Sequence, residues 1–347
     1  MAVWVPLEPV EATMEADAVD AAVRGLSVAV RGPLFGVASQ SEGDGRRWRV
    51  VIEVTHGCPQ QARDALNSAL WFKAKDEAQD RAERRALLAA VGRLETEEVT
   101  ELAVLDTRYR VVRAEEYAGM EANGDLELPR PTDPEPLTPD WSYNTGPSPR
   151  IDVGLVLDPD APLTPALAVE RLSQRSLAYT GDRYPATVLR DSARAVETHP
   201  DVLLMPTGFA VVERSGSGGW TVGGALQASA HDARRALNAS LIMWEPRLRG
   251  LIPLGASVDV DAHTIIAEGA NPAAEELAPL AEASDRLRAG MLNQVEADGT
   301  TYHIARIRRL LRWGPDGPEP PRPSDTSSHA PETFHPRLDE DGTVHYE

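Results

Sequence analysis

The chain has 347 residues, of which 42% are hydrophobic, and it carries a formal net charge of −19. This length is typical of two domains, and the apolar content is sufficient for a core in each of them. The acidity argues against broad binding to nucleic acids or anionic membranes, because both surfaces would repel the chain, and it favours a basic protein partner.

The first half of the chain contains two apolar runs around a glycine-rich turn, a pattern that predicts a β-hairpin. Helical patterns precede and follow this hairpin, and from Ala62 to Leu70 small and apolar residues recur on one helix face. In chain order, the predicted elements are a helix at 17–30, strands at 35–39 and 48–54, helices at 62–70 and 76–94, and a strand at 109–114.

The second half repeats this order with one insertion, near residues 246–270. Within the insertion, residues 257–266 alternate as in a half-exposed strand. The predicted elements of this half are a helix at 187–197, strands at 209–213 and 220–226, a helix from 233 that breaks at Pro246, a helix at 272–289 and a strand at 302–311.

Two matched blocks indicate that the halves are copies of each other. Residues 62–70 reappear as residues 233–241, with six of the nine positions identical. Tyr109 and Arg113, followed by Pro-Arg-Pro-Thr-Asp at 129–133, match Tyr302 and Arg306, followed by Pro-Arg-Pro-Ser-Asp at 321–325. Matches in the same order predict a tandem duplication. The two proline-flanked segments are called the Pro-Arg-Pro blocks below.

We therefore predict an α+β protein built from two tandem, similar α-β-β-α-β units packed with pseudo-twofold symmetry. The predicted organisation is repeat unit one at residues 1–136, a linker and lead-in segment at 137–185, repeat unit two at 186–325 and a disordered acidic tail at 326–347. The linker prediction depends on Pro, Gly, Ser and Asn residues at 137–149, and the tail prediction depends on polar composition.

Cys58 is the single cysteine, so no intrachain disulfide can form, which is typical of a reducing compartment. It lies at a predicted helix start, two residues after His56, and a Cys–His nucleophile is one interpretation. The duplication favours another, because Cys58 aligns with Ser229, which has Asp232 three residues later at capping-box spacing. We expect a structural N-cap position at Cys58.

Residues 1–9 have neither the basic start nor the apolar core of a signal peptide. No apolar stretch approaches the roughly 18 residues that are needed to span a bilayer. We therefore expect a soluble, cytoplasmic protein that does not bind membranes.

Two groups of residues with carboxylate or imidazole side chains suggest metal ligands. Asp259, Asp261 and His263 would share one face of a strand and could bind a divalent cation. Asp158 and Asp160 follow an apolar run, where Mg²⁺-binding carboxylates often lie. We prefer to interpret the first pattern as the solvent-exposed face of a strand. We interpret the second as an ordinary turn. We predict no metal and no cofactor.

Residues 306–313 place four arginines beside Trp313, as in nucleic-acid-binding surfaces. The corresponding part of the first half contains Glu115 and Glu116, so this basicity is not a property of the repeat. We expect the arginines of this acidic chain to pair with carboxylates, and we do not expect nucleic-acid binding.

The residues retained in both halves are the candidate binding residues, namely Asn67, Asn238, Tyr109, Tyr302, Arg113, Arg306, Arg130 and Arg322. Asn is a poor helix former, so each of the two mid-helix asparagines is expected to hydrogen-bond a specific partner. Prolines stiffen the segments around Arg130 and Arg322. Each such segment either docks as a structural latch over the tyrosine, which we prefer, or displays its arginine.

The chain lacks the common phosphate-loop, serine-hydrolase, zinc-protease and paired Cys-x-x-Cys motifs. Its Tyr/Arg strand, the sequence Arg-Trp-Gly-Pro-Asp-Gly-Pro-Glu at 312–319 and the second Pro-Arg-Pro block together resemble an uncharacterised actinobacterial, streptomycete-type family of unknown function. The resemblance covers most of the chain and implies no activity.

Net charge and the lack of a catalytic motif in both halves favour a non-enzymatic cytoplasmic interaction or regulatory protein with a basic protein partner. The alternative is a small-molecule-binding protein or enzyme with a site in the groove between the two repeat units. A pocket there, lined by Arg113, Arg306, Asn67 or Asn238, would distinguish the alternative. The sequence makes no prediction of the oligomeric state.

Overall fold

A computed structural model describes residues 2–23, 27–142, 149–216, 218–269 and 272–346. Within these ranges the fold is α+β, as predicted, and it is dominated by a large antiparallel sheet. The strands of this sheet are β1 (Ser27–Ser41), β2 (Trp48–His56), β3 (Glu101–Val104), β4 (Thr107–Met120), β5 (Val156–Leu157), β6 (Asp201–Leu204), β7 (Gly208–Ser215), β8 (Thr221–Val222), β9 (Gln294–Ala297), β10 (Thr300–Gly314) and β11 (Gly317–Pro318).

The helices lie before, between and after the hairpins. They are α1 (Pro9–Val23), α2 (Pro59–Asp76), α3 (Arg81–Leu94), α4 (Pro165–Gln174), α5 (Ala186–Thr198), α6 (Ala230–Ala239), a π-helical segment (Ser240–Trp244), α7 (Glu245–Leu248), α8 (Ala262–Glu268) and α9 (Ala274–Gly290). None of the helices in the described part of the chain combines the length and the apolar composition needed to cross a bilayer.

The strands follow the order β5-β2-β1-β4-β10-β7-β8, with β3 also paired to β4, and with β6, β9 and β11 paired to β10. The long strands β4 and β10 form the centre. They pair antiparallel over five residue pairs, in which Glu116 lies opposite Arg309.

Two hydrophobic clusters lie beneath helices on one face of this sheet. Val111 of β4 packs with α2 and α3, and Ile304 of β10 packs with α6 and α9. Both residues project from the same face, because paired residues share a face and side chains alternate along a strand. A third cluster, which contains Val112, Leu311 and Trp313, lies on the opposite face.

The predicted helix at 17–30 is wrong over its last residues, since residues 27–30 begin β1 instead. Val28 and Val30 alternate along this strand and pair with Gly119 and Tyr117 of β4. Such β-branched residues fit a strand better than a helix. Pairing with a central strand therefore decides the conformation at this boundary.

The strand predicted at 257–266 is also wrong. These residues form a turn followed by α8, whose N-cap is Asp261. The carboxylate of Asp261 accepts a hydrogen bond from Thr264 N at 2.9 Å, and Thr264 Oγ1 accepts one from Asp261 N at 2.9 Å. This reciprocal capping box satisfies two otherwise unpaired backbone donors and starts a helix where alternation predicted a strand.

Two further elements differ from the prediction. The helix from 233 does not break at Pro246, because Pro246 lies in the first turn of α7, where its missing N–H is not needed. The strand predicted at 220–226 is limited to β8, and Trp220 instead donates its indole N–H to the carbonyl of Gly124. The predicted glycine-rich turn at 215–219 includes residue 217, which lies outside the described residues.

The tail from residue 326 was predicted to be disordered, yet its described residues pack on α2 and α3 through a hairpin of β12 (Arg337–Leu338) and β13 (Val344–His345). Leu338 is buried, and Trp71 Nε1 donates to the carbonyl of Pro336 at 3.2 Å. Glu340 pairs with Arg85 at 2.8 Å. A few anchoring contacts thus order a segment whose average composition is polar.

Of the predicted linker and lead-in segment 137–185, residues 143–148 lie outside the described residues. The described remainder contains β5 and α4. Val156 and Leu157 of β5 extend the sheet beside β2, and α4 contacts α1 and β6. This segment therefore packs against elements of both halves of the chain.

Candidate functional site

Two ionic clusters lie in the middle of the helix-bearing face of the sheet, between the two hydrophobic clusters. The closed cluster consists of Arg113, Glu115, Tyr179, Glu319, Arg322 and Asp325. The open cluster consists of Tyr117, Glu127, Arg130, Asp133, Glu170, Arg306 and Arg308.

The closed cluster is organised around Arg113, which is 1% exposed. Its Nε lies 2.9 Å from Asp325 of the second Pro-Arg-Pro block, and its backbone N–H donates to the carbonyl of Glu319 at 3.0 Å. Glu115 accepts from Arg113 and also lies 2.9 Å from Arg322. The buried guanidinium is thus held between two carboxylates, as a buried charge requires.

Burial by itself would raise the pKa of Glu115, but attraction by Arg113 and Arg322 outweighs burial and holds this pKa below its ordinary value. Burial, and then repulsion from Glu115, raises the pKa of Tyr179. Tyr179 therefore stays protonated and donates its hydroxyl to Glu115. In the closed cluster, each charged side chain therefore has an ion-pair partner of opposite sign.

The open cluster repeats much of this arrangement at the other end of β10. Arg306 Nε lies 3.1 Å from Asp133 of the first Pro-Arg-Pro block, and the Arg306 N–H donates to the carbonyl of Glu127 at 2.7 Å. Arg130 pairs with Glu127 at 2.7 Å, as Arg322 pairs with Glu319. Each block therefore docks through its aspartate on an arginine of the other half of the chain.

In the open cluster, Arg308 stands at the position of Glu115, and Tyr117 and Glu170 take part instead of Tyr179. Arg308 pairs with Glu127 and lies 2.9 Å from Glu170 of α4. Burial would raise the pKa of Glu170, but Arg308 and a hydrogen bond from Tyr117 hold it below its ordinary value. Burial and Glu170 together raise the pKa of Tyr117, which remains a hydrogen-bond donor.

The members of the open cluster other than Glu127 form the floor of a cavity of about 730 Å³. We call this the α1–α4 cavity, because helices α1 and α4 form its walls. Six large apolar residues that line it remain at least 40% exposed, namely Trp4, Met14, Val19, Val28, Leu167 and Val169. A cavity with apolar walls and a few converging polar groups has the character of a ligand site.

The two predicted asparagines lie away from this cavity. Asn67 is 1% exposed, and its Nδ2 donates to the carbonyl of Val91 in α3 at 3.2 Å. Asn238 is 5% exposed, and its Oδ1 accepts from Ser284 Oγ of α9 at 2.6 Å. The amide of Asn67 thus joins α2 to α3, and that of Asn238 joins α6 to α9.

The two predicted tyrosines are buried in the hydrophobic clusters. Tyr109 packs with α2 and α3, and Tyr302 packs with α6 and α9. Burial raises the pKa of both phenols. Among the predicted residues the structure brings together Arg113 with Arg322 in the closed cluster, and Arg306 with Arg130 in the open cluster.

Cys58 is the N-cap of α2 and Ser229 is the N-cap of α6, as predicted from their alignment. Cys58 Sγ lies 3.5 Å from Ser328 Oγ. Burial would raise the pKa of this thiol, but hydrogen bonds from Ser328 and from the first helix amides lower it. Burial lowers the pKa of His56.

The considered metal residues occupy ordinary structural positions. Asp261 caps α8, and His263 lies 3.7 Å from Asp285. Asp160 pairs with Arg46 at 3.1 Å, and its N–H donates to Asp158 at 2.9 Å. No group of three or more metal-ligating side chains occurs in the described ranges.

The remaining arginines of residues 306–313 point to protein acceptors. Arg309 is fully buried and lies 2.5 Å from Asp152. Arg312 donates to backbone carbonyls, including those of Leu177 and Arg175. The basic residues of this strand are thus engaged inside the protein.

Sequence reasoning missed the acidic members of the clusters. Glu127 precedes Arg130 by three residues, as Glu319 precedes Arg322, and this repeated spacing was a usable signal. No comparable signal marks Glu170, which is brought in by α4, outside the repeated blocks.

No curated protein matches the chain, and no solved structure matches it. Residues 8–328 match the model of a family of unknown function, DUF5954. The match spans both Pro-Arg-Pro blocks and both ionic clusters, and the chain therefore belongs to the DUF5954 family.

Proposed function

We propose that the chain is a tandem duplication, with repeat units at 1–136 and 186–325 related by a pseudo-twofold axis through the β4–β10 pair. Counting from the Tyr109–Tyr302 match, Glu116 corresponds to Arg309. That these two residues lie opposite each other supports the proposal. The reciprocal docking of the Pro-Arg-Pro blocks supports it as well, since equivalent blocks contact equivalent arginines of the opposite unit.

We propose further that the protein binds a small molecule in the α1–α4 cavity, between the two units. The observation that carries this proposal is a cavity of about 730 Å³ with exposed apolar walls over the open cluster. Its floor contains Arg306, one of the residues that we expected in a pocket between the units. In the closed cluster, by contrast, the corresponding arginine, Arg113, is only 1% exposed.

The cavity favours an amphipathic ligand without a net negative charge. On the floor, each of Arg130, Arg306 and Arg308 already pairs with a carboxylate. The wall contributed by α1 adds Glu11 and Glu15. An apolar body can cover the walls, and an uncharged or basic group can hydrogen-bond the polar floor.

A filled-cavity variant tests this proposal. Ala18 lines the cavity, whereas Ala16 lies on the same helix, is exposed and does not line it. In a thermal-shift screen with small metabolites, ligand at 100 times Kd should stabilise the wild type by about 2.7 kcal/mol. We expect Ala16→Trp to retain this shift and Ala18→Trp to lose it.

Two results would overturn the proposal. One is a screen in which no uncharged or basic amphipathic compound stabilises the wild type. The other is a ligand whose shift survives in Ala18→Trp.

A basic protein partner remains a second proposal, supported by the net charge of −19 and by exposed acidic residues such as Glu8, just before α1, and Glu275 and Glu276 on α9. The single cysteine supports a reducing, cytoplasmic location for such an encounter. A pulldown from lysate tests this proposal. Failure to recover a basic protein at low and at moderate salt would contradict it.

A further inference from the structure

Arg63 of α2 is a buried guanidinium without an ion-pair partner in the described part of the chain. It is 4% exposed, and its hydrogen bonds go to the carbonyl of Val99 and to Gln60 Oε1, both at 2.9 Å. Both acceptors are neutral. A buried charge is costly unless an opposite charge compensates it, so this arginine lacks the partner that its burial calls for.

The second half of the chain contains a direct comparison. Arg234 corresponds to Arg63 in the repeated helix, and it is buried to the same extent. Its Nη1 lies 2.7 Å from a carboxylate oxygen of Glu135, which follows the first Pro-Arg-Pro block. Counting from the Arg130–Arg322 match, Glu135 corresponds to Ser327. Arg234 therefore has the carboxylate of Glu135 as its partner, whereas the position that corresponds to Glu135 near Arg63 is a serine, Ser327.

The space beside Arg63 is open. A second cavity, of about 740 Å³, is lined by Arg63, Ser327, Ser328, His329 and Arg322 among others. Arg322 is 7% exposed, and its Nη1 is buried without a hydrogen-bond partner among the described residues. The cavity thus contains two buried guanidinium groups, hydroxyl groups and an imidazole.

The carboxylates near this cavity do not form an ion pair with Arg63. Burial lowers the pKa of Arg63, and the attraction of Glu98 and Asp64 does not offset it. Asp64 accepts hydrogen bonds from Gln60 at 2.8 Å and from His329 at 2.7 Å, and Asp325 pairs with Arg113. Glu98 lines the cavity but is exposed, and no ion pair joins it to Arg63 within the described residues. Glu98 is therefore a competitor of the ligand for Arg63, and the variant Glu98→Gln removes its charge.

We propose that this second cavity is a carboxylate-binding site, in which the carboxylate of a small organic acid binds Arg63 as Glu135 binds Arg234. The planar guanidinium presents paired donors that match the two oxygens of a carboxylate. Ser327, which corresponds to Glu135 in sequence and also lines this cavity, supplies a hydroxyl donor for the ligand. This site is separate from the α1–α4 cavity and does not depend on the function proposed for it.

The test is a titration of the full chain with benzoate, succinate and inorganic phosphate, followed by thermal shift and calorimetry, with sodium chloride at matched ionic strength as the reference. We expect saturable binding of a carboxylate to the wild type. Arg63→Gln should weaken binding at least tenfold. Because loss of a buried arginine can also impair folding, Ser327→Glu is the second variant.

Ser327→Glu supplies the missing carboxylate from within the chain. It should raise the melting temperature at low salt and weaken carboxylate binding at least tenfold. Ala225→Glu adds the same charge at an exposed loop position and should leave binding unchanged. Glu98→Gln should bind carboxylates at least as tightly as the wild type.

Three results would overturn the proposal. The first is a wild-type response no larger than that to sodium chloride, including the case in which only Glu98→Gln binds. The second is binding that survives in both Arg63→Gln and Ser327→Glu. The third is binding of phosphate but not of benzoate or succinate, which would assign the site to phosphate groups instead.

Discussion

Replacing each of the two equivalent asparagines with leucine should affect stability unequally, although their sequence contexts are nearly the same. The change alters helix propensity equally at Asn67 and Asn238, so that contribution cancels in the comparison. The difference comes from the hydrogen-bond partners. For Asn238 the partner is a side-chain hydroxyl, and for Asn67 it is a backbone carbonyl.

Asn238→Leu leaves the hydroxyl of Ser284 without its acceptor in a fully buried position. An unpaired buried hydroxyl lowers the free energy of unfolding by about 1–3 kcal/mol. The lower end applies if the hydroxyl turns to a carbonyl of its own helix. Asn67→Leu removes a bond to the Val91 carbonyl, which still accepts from the Glu95 N–H at 3.0 Å. It also removes Asn67 Oδ1, which is buried without a partner among the described residues.

We therefore expect Asn67→Leu to change the free energy of unfolding by less than about 1 kcal/mol. Urea unfolding measures both variants, with an unchanged m-value as the sign that only stability has changed. The control is Asn238→Leu combined with Ser284→Ala, which removes both partners and should recover most of the loss. Equal losses in the two single variants, or no recovery in the double variant, would refute the reasoning.

Three further predictions concern the ionic network and the tail. Arg113→Met should lower the free energy of unfolding, measured by urea titration, by about 3–5 kcal/mol, because it leaves Glu115 and Asp325 buried without Arg113. A loss below about 1 kcal/mol would contradict the ionic network. Because the pKa of Glu115 lies below its ordinary value of 4.5 in the folded chain, its ionised form stabilises the protein above that value, and this contribution disappears as the pH falls through the folded pKa. The stability difference between the wild type and Glu115→Gln, measured by urea unfolding from pH 7 to pH 3, should therefore be constant above about pH 5 and should shrink below it, whereas a difference independent of pH would be inconsistent with an ionised Glu115. Leu338→Ala should weaken the packing of the β12–β13 hairpin on α2 and α3 by about 2–5 kcal/mol and should make the tail beside Trp71 sensitive to limited proteolysis. Unchanged cleavage would show that the tail is not anchored there.

The sequence determined much of the local structure, because local patterns have local physical causes. Apolar and small residues at helical spacing predicted α2 and α6, and their equivalent starts at Cys58 and Ser229 are both N-caps. Two apolar runs around a glycine-rich turn predicted the paired strands β1 and β2. The α+β class follows from those elements. The tail shows the limit of composition, since one buried leucine and one indole hydrogen bond outweigh its polar average.

The tertiary structure decided what the repeated residues contact. Arg113 and Arg306 are the same residue in the same strand context, yet one is sealed in the closed cluster and the other lines an open cavity. Both arginines are docked by a Pro-Arg-Pro block from the opposite half of the chain, so the difference arises elsewhere. Helix α4 brings Glu170 to the open cluster alone, whereas Tyr179 contacts Glu115 in the closed cluster. Contacts between residues more than one hundred positions apart depend on how the long strands pair, and no local spacing encodes that pairing.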